Sequence, residues 1–204
     1  MVLQTLREVL DSDYKGPRAV FTEVHVLKAL VAIGKSGRVG RGRLGALTGL
    51  GQGEVRTLIK RLKDNQLIVI EADGCRLSKK GEKEYAKLSS LLLWSGPVNA
   101  RTLGLGAKCW AVLVSGAEKA VRYGIEQRDA AIKAGADGAF TSVFKSGRFM
   151  VPGEGADCEK DGPGEPWVSM RRAMPHDGDV AVVTGSAEEA FAENGALAAF
   201  LTLV

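Results

Sequence analysis

Several side chains in one short basic segment have the chemistry to contact DNA. If residues 54–65 form a helix, Gln52, Arg56, Thr57 and Lys60 lie on or beside its outward face, and Arg56 and Lys60 project together because they are one turn apart. Arginine can pair bidentately with guanine and glutamine with adenine, whereas lysine and threonine commonly contact phosphates. The segment therefore predicts a helix that lies in the major groove of double-stranded DNA.

Basic residues on both sides of that helix could contact the DNA backbone. Arg41 and Arg43 open the segment before it, while Arg76, Lys79 and Lys80 follow it. A basic helix alone is usually only a solvated face, so the prediction depends on the order of the elements around these residues.

The order of elements in residues 41–80 is typical of a winged helix-turn-helix. A short bracing helix, a glycine turn and a longer helix are predicted at residues 43–47, 49–53 and 54–65. A hairpin follows, with strands at residues 67–72 and 75–77, because Asp73-Gly74 favours a tight turn. Further helices are predicted at residues 2–10, 21–33 and 78–92.

Charge divides this chain of 204 residues into two parts. Residues 1–94 carry 17 Lys and Arg against 10 Asp and Glu, whereas residues 95–204 carry 11 against 14. This asymmetry predicts a domain at 1–94 that faces a polyanion and a second domain at 95–204, with a Gly- and Pro-containing linker at 95–106. No apolar run approaches the roughly 20 residues of a membrane span, and three well-separated cysteines fit a reduced, cytoplasmic protein without membrane contact.

Two stretches resemble a known family. Residues 15–90 look like the winged helix-turn-helix domains of archaeal transcriptional regulators. The stretches GPRAVFTEVHVL (residues 16–27) and GIEQRDAAIKAGA (residues 124–136) are similar to an archaeal family that pairs such a domain with a C-terminal domain of unknown function. The resemblance implies a regulator-like protein, and it supplies no ligand or catalytic residues.

The second half has the element order of an α/β domain with a mixed sheet, so the whole chain is predicted to be α+β. Strands are expected at residues 110–114, 139–144, 149–151, 167–170 and 180–184. Helices are expected at 117–134 and after Ser186, which would form a capping box with Glu189. Asn194-Gly195 should break or bend the last helix before the apolar tail 196–204, which either completes the core or forms a dimer interface.

Arg128 is the residue of this half that most needs an explanation. On a helix over 117–134 it falls within the apolar stripe of Val121, Ile125 and Ile132, and a buried guanidinium requires an acidic partner. In one interpretation Arg128 pairs with Asp179, Asp129 or another acid and fixes the packing. In the other it faces a pocket and binds a small anionic effector.

No catalytic set is recognisable, and neither His25 nor His176 has companions at metal-ligand spacing, so no catalytic residue, metal or cofactor is predicted. The leading hypothesis is a cytoplasmic, homodimeric transcriptional regulator that binds double-stranded DNA and is not an enzyme. Two alternatives stay open. One is an enzyme domain fused to a winged helix, and the other is a winged-helix module that binds proteins of the transcription machinery.

Overall fold

The computed structural model describes residues 2–11, 20–161 and 164–204. The chain forms two compact units, Met1–Ser89 and Ser90–Val204. Helices dominate the first unit and a five-stranded sheet forms the centre of the second, so the predicted α+β class is confirmed. Of the stretch 16–27 that carries part of the family resemblance, residues 16–19 lie outside the described part of the chain.

The first unit follows the predicted element order. Its helices are α1 Val2–Asp11, α2 Glu23–Ser36, α3 Arg41–Thr48, α4 Gln52–Asp64 and α5 Lys79–Leu91, and its strands are β1 Ile68–Glu71 and β2 Gly74–Leu77. Helix α3 ends because Gly49 adopts the left-handed conformation, with φ of 74°, and its N–H donates to the carbonyl of Gly45 at 2.9 Å. That cap turns the chain directly into α4.

The hairpin depends on a glycine at its turn. β1 and β2 are antiparallel, with Ile68 opposite Leu77 and Glu71 opposite Gly74. Gly74 has a φ of 145°, and a Cβ at this position would lie 2.9 Å from the carbonyl oxygen of Val39. Only glycine fits both the backbone angle and this close approach, so the Asp73-Gly74 turn is required by the fold.

The start of α2 contains an unusual cap. The backbone N–H of Thr22 donates to Nδ1 of His25 at 3.1 Å. Nδ1 must therefore carry no proton, so the imidazole is in its neutral form. Burial lowers the pKa of His25 below its ordinary value of 6.5, the charge of Lys28 lowers it further, and Glu54 acts in the opposite direction. The environment therefore favours the protonation state that the cap needs.

A buried arginine secures α1 to the rest of the first unit. Arg61 is only 5% exposed, and its guanidinium donates to the carbonyls of Val9 and Leu10 at the end of α1. It also lies over the ring of Phe21, 5.4 Å from the centroid. Arg61 thus satisfies carbonyls that a helix end leaves without partners.

The sheet of the second unit is antiparallel throughout. Its strands are β3 Leu92–Val98, β4 Lys108–Val114, β5 Gly138–Lys145, β6 Arg148–Met150 and β7 Val180–Ser186, in the order β3-β4-β7-β5-β6. The predicted mixed sheet is wrong, because β7 inserts between β4 and β5 and runs opposite to both. Part of the predicted linker is strand β3, and the predicted boundary after residue 94 falls inside that strand.

Helices cover one face of this sheet. They are α6 Ile125–Lys133 and α9 Glu189–Leu201, and the short helices α7 Cys158–Asp161 and α8 Trp167–Arg171 complete the unit. The opposite face carries an aromatic core in which Phe149 packs on Phe144 and Trp167, with ring centroids 5.0 and 5.1 Å away. The apolar tail of α9, including Ala196 and Phe200, is buried in this unit.

Three local predictions for the second unit are wrong. Residues 117–134 do not form one helix, because Gly124 takes a φ of 79° against Thr141 and α6 begins only after it. Residues 167–170 are helical, and Ser186 ends β7 without capping a helix. Helix α9 runs unbroken through Gly195, where a Cβ would lie 2.6 Å from that of Ala136.

Across the described ranges, no helix combines the length and the apolar character that crossing a bilayer requires.

Candidate nucleic-acid interface

Helix α4 separates its apolar and basic residues onto two sides. Val55, Leu58 and Leu62 are buried beneath it, whereas Arg56 and Lys60 are exposed one turn apart. Gln52 is exposed at the first turn of the helix. The helix therefore presents its predicted donors to solvent.

An open groove runs between α4 and the β1–β2 hairpin. It has a volume of about 750 Å³, and four basic side chains line it: Arg41 from the start of α3, and Arg56, Lys60 and Lys63 from α4. No ion pair within the described residues involves Arg41, Arg56 or Lys63. These charges are consequently available to an external anion.

The acids on the hairpin side of this groove are already paired. Glu71 accepts from Arg76 Nε at 2.6 Å and also from Arg38, which in turn pairs with Asp73. The pKa of Arg76 is raised, first by its hydrogen bond to Glu71 and then by that carboxylate's charge. Arg38 and Arg76 thus neutralise the hairpin acids, and the four cations of α3 and α4 outnumber Asp64, the remaining acid that lines the groove.

This pairing changes the role expected of Arg76. The sequence predicts Arg76 as a contact to the DNA backbone, yet its guanidinium is bound to Glu71 and to the carbonyl of Leu77 at 3.3 Å. The side chain is exposed, so it could reach DNA only by exchanging Glu71 for a phosphate.

Four other residues predicted to contact DNA lie outside the groove. Arg43 is exposed on α3, outside the residues that line the groove. Thr57 is half-buried, and its hydroxyl donates to the carbonyl of Gly53 at 3.1 Å. Lys79 is exposed at the start of α5, and the Lys80 ammonium donates to the carbonyl of Asn65 at 3.2 Å. The structure therefore brings Arg41, Arg56 and Lys60 together and leaves these four outside the groove.

Sequence reasoning missed two basic residues that shape the interface. Lys63 lines the groove and is three residues from Lys60 and seven from Arg56, so helical periodicity alone could have identified it. Arg38 precedes α3 and has no local signal, because its partners are 33 and 35 residues away in sequence.

Arg128, predicted within a buried stripe, is exposed on α6. Its guanidinium lies 3.2 Å from the carboxylate of Asp129, and both side chains are 52% exposed. Gln127 and Ala131 are the buried residues of this helix, while Ile125 and Ile132 are half exposed. The predicted burial of Arg128 is therefore wrong, whereas its role in binding an effector stays a prediction.

The described residues contain no group of three or more His, Cys, Asp or Glu side chains close enough to hold a metal ion. All three cysteines are reduced and buried, and burial raises the pKa of the Cys75 and Cys109 thiols. These thiols are therefore poor nucleophiles.

Comparison with known proteins gives a family for the second unit and a relative for the whole chain. Residues 105–203 match a family described as a domain of unknown function, DUF4443. The fold is similar to that of hypothetical protein PH0730 from Pyrococcus horikoshii OT3, with a TM-score of 0.72 and 26% sequence identity over 90% of this chain and 92% of that one. No curated protein matches the chain. The predicted C-terminal domain of unknown function is thereby confirmed, whereas the regulatory role stays a prediction.

Proposed function

We propose that the first unit binds double-stranded DNA and that the protein regulates transcription. In this proposal α4 enters the major groove with Gln52 and Arg56 toward the base edges. One DNA strand follows the groove between α4 and the hairpin, where Arg41, Lys60 and Lys63 contact phosphates.

The observation that carries the proposal is the exposed cationic side of α4 beside a groove whose two hairpin acids, Glu71 and Asp73, are already paired. The 13 residues of α4 make a rod about 20 Å long, and a helix with side chains is about 10–12 Å across, which matches the width of the major groove. Arg41, Lys60 and Lys63 could together neutralise about three phosphates, the electrostatic basis of sequence-independent affinity.

The polar surface of α4 favours DNA over a protein partner. Its exposed residues are Gln52, Gly53, Arg56, Lys60, Lys63 and Asp64. Protein interfaces usually centre on buried aromatic and aliphatic anchors, and this face contains none among its exposed residues. Ile70, which is 47% exposed, is a hairpin residue at the side of the groove.

The proposal includes binding as a homodimer. Regulators of this architecture usually place two recognition helices one DNA turn apart, about 34 Å, and so multiply the specificity of two half-sites. A nuclease footprint that covers two half-sites at this spacing would support the dimer, and a single protected half-site would reject it.

The test is a DNA-binding titration of the full chain at several salt concentrations. Arg56→Ala and Lys60→Ala should each weaken binding, and Lys60→Ala, which removes a phosphate contact, should also lower the log–log salt slope by about 0.9. The matched control is Lys133→Ala, which removes one exposed positive charge from α6 in the second unit and should leave the slope unchanged. Binding without salt dependence, or an equal effect of all three substitutions, would reject the proposed interface.

A further inference from the structure

The second unit has a cleft of its own at the corner formed by β5 and β6. Its volume is about 470 Å³, within the range of small-molecule sites. The two strands form one wall, residues 118–122 form another, and the loop at residues 151–155 closes the third side. None of the residues predicted from the sequence as functional lines this cleft.

The floor of the cleft is apolar. Val143 and Met150 lie directly opposite each other in the β5–β6 pair and face the cleft together. Val121, Val151 and Pro152 extend this surface from the neighbouring segments. Such a floor favours a ligand with a compact hydrocarbon body.

The rim of the cleft is cationic. Lys145 and Arg148 form the next opposed pair on the same face of the two strands, and Arg122 lines the cleft from the facing segment. Like charges at directly opposed positions destabilise an antiparallel pair, so their placement here has a cost that a bound anion would offset.

Nearby acids compensate this charge only in part. Glu118 lies 3.5 Å from Lys145, with both side chains largely exposed, and Asp157 pairs with Arg148. The hydrogen bond from Arg148 is the main cause that holds the pKa of Asp157 below its usual range. Arg122 is exposed and takes part in no ion pair with a described residue, so one positive charge at the rim is left for a ligand.

Backbone contacts give the cleft its shape. The N–H of Val151 donates to the carbonyl of Ala156 at 2.8 Å, and that of Gly155 donates to the carbonyl of Val151 at 3.0 Å. Gly153, with a φ of 80°, packs so closely on Tyr123 that a Cβ would lie 2.7 Å from its ring. The loop is thereby held against the segment that carries Arg122.

From these observations we infer that the cleft binds a small organic anion, a carboxylate or a phosphate monoester with a compact apolar body. The anionic group lies among Arg122, Lys145 and Arg148, and the apolar body lies over Val143 and Met150. The inference does not depend on DNA binding.

The test is an amide NMR titration of the full chain, without DNA, using hexanoate, hexyl phosphate, hexanol and inorganic phosphate as separate probes. At least one of the two hexyl anions should bind saturably and shift the amides of residues 143–155. Comparing the two anions identifies the preferred anionic group. Hexanol and inorganic phosphate should bind at least tenfold more weakly, because each lacks one half of the ligand.

Substitutions assign the binding to the cleft. Arg122→Gln should weaken binding of the preferred anion about tenfold, and Met150→Gln about threefold. Arg128→Gln is the matched control, since it removes an exposed arginine of the same unit outside the cleft, and it should bind as the parent does. The inference is overturned if neither anion binds saturably, if hexanol or inorganic phosphate binds equally well, or if Arg122→Gln and Arg128→Gln behave alike.

Discussion

Replacing Glu71 with glutamine should strengthen DNA binding. The Glu71 carboxylate holds both Arg38 and Arg76, and its side chain is 31% exposed beside the groove. Glutamine is nearly the same size but uncharged, so it removes one negative charge from the groove and releases Arg76, whereas Arg38 keeps Asp73 as its partner. Arg76, once it reaches a phosphate, adds one contact to those of α3 and α4.

The magnitude follows from the number of released cations. One new phosphate contact, made by Arg76, should steepen the log–log salt slope by about 0.9. For one contact, the gain in affinity should be about 3.5-fold larger at 50 mM salt than at 200 mM. The stability of the unit should change by no more than about 1 kcal/mol, because ion pairs between partly exposed side chains contribute little.

Fluorescence anisotropy with a labelled duplex, measured at salt concentrations between 50 and 200 mM, gives both affinity and slope. Glu126→Gln is the control, since it removes an exposed acid from α6 of the second unit with the same change in net charge. If Glu71→Gln weakens binding, or if the two variants give equal slopes, the paired acids do not limit the interface and the reasoning fails.

Three further predictions concern stability. Gly81→Ala should destabilise the first unit by about 3 kcal/mol or more in urea unfolding, because the new Cβ would lie 1.9 Å from the carbonyl oxygen of Leu67. Gly42→Ala is the matched comparison: it lies in open space on α3 and should stabilise the unit by about 0.5–1 kcal/mol. Because the pKa of His25 is lowered in the folded state, its contribution to the unfolding free energy is complete above pH 6.5 and is lost as the pH falls through the folded-state pKa. Between pH 7.5 and pH 5.5 the parent protein should therefore lose more unfolding free energy than His25→Gln does. Arg61→Met should lower the unfolding free energy by about 2 kcal/mol and raise amide exchange in α1, and unchanged exchange would show that its hydrogen bonds to α1 contribute little.

The first unit was predictable because its determinants are local. Val55, Leu58 and Leu62 follow the helical repeat, and Gly49 and Gly74 occupy backbone conformations that favour glycine. Each of these signals lies within a few residues of the structure that it specifies. The helix–turn–helix–hairpin order could therefore be predicted with errors of only a few residues at the ends of elements.

The second unit resisted prediction where distant contacts decide. Residues 117–134 do not form one helix, because Gly124 takes a φ of 79° directly before α6 and Thr141 of β5 leaves no room there for a Cβ. Once the helix starts at Ile125, Gln127 faces inward and Arg128 does not. No local sequence pattern indicates that β7 lies between β4 and β5. The antiparallel sheet therefore could not be derived from the order of elements along the chain.

For the candidate interface, positions on the helices could be predicted and long-range ion pairs could not. Arg41, Arg56 and Lys60 follow from position along the helices, and Lys63 would have followed from the same repeat. The pairing of Arg76 with Glu71 spans the hairpin, and that of Arg38 with Asp73 spans 35 residues. Such ion pairs between residues distant in sequence become visible only when the chain is folded.

The central position of β7 has a consequence for biosynthesis. Strands β4 and β5 both bond to β7, which emerges from the ribosome after every other strand of the sheet. Until residue 186 has been translated, the edges of β4 and β5 that will bond to β7 are unpaired, and unpaired strand edges are prone to incorrect pairing. The first unit can fold earlier. A stalled or truncated chain would therefore carry a folded helical domain followed by an incomplete sheet whose unpaired strands are prone to aggregation.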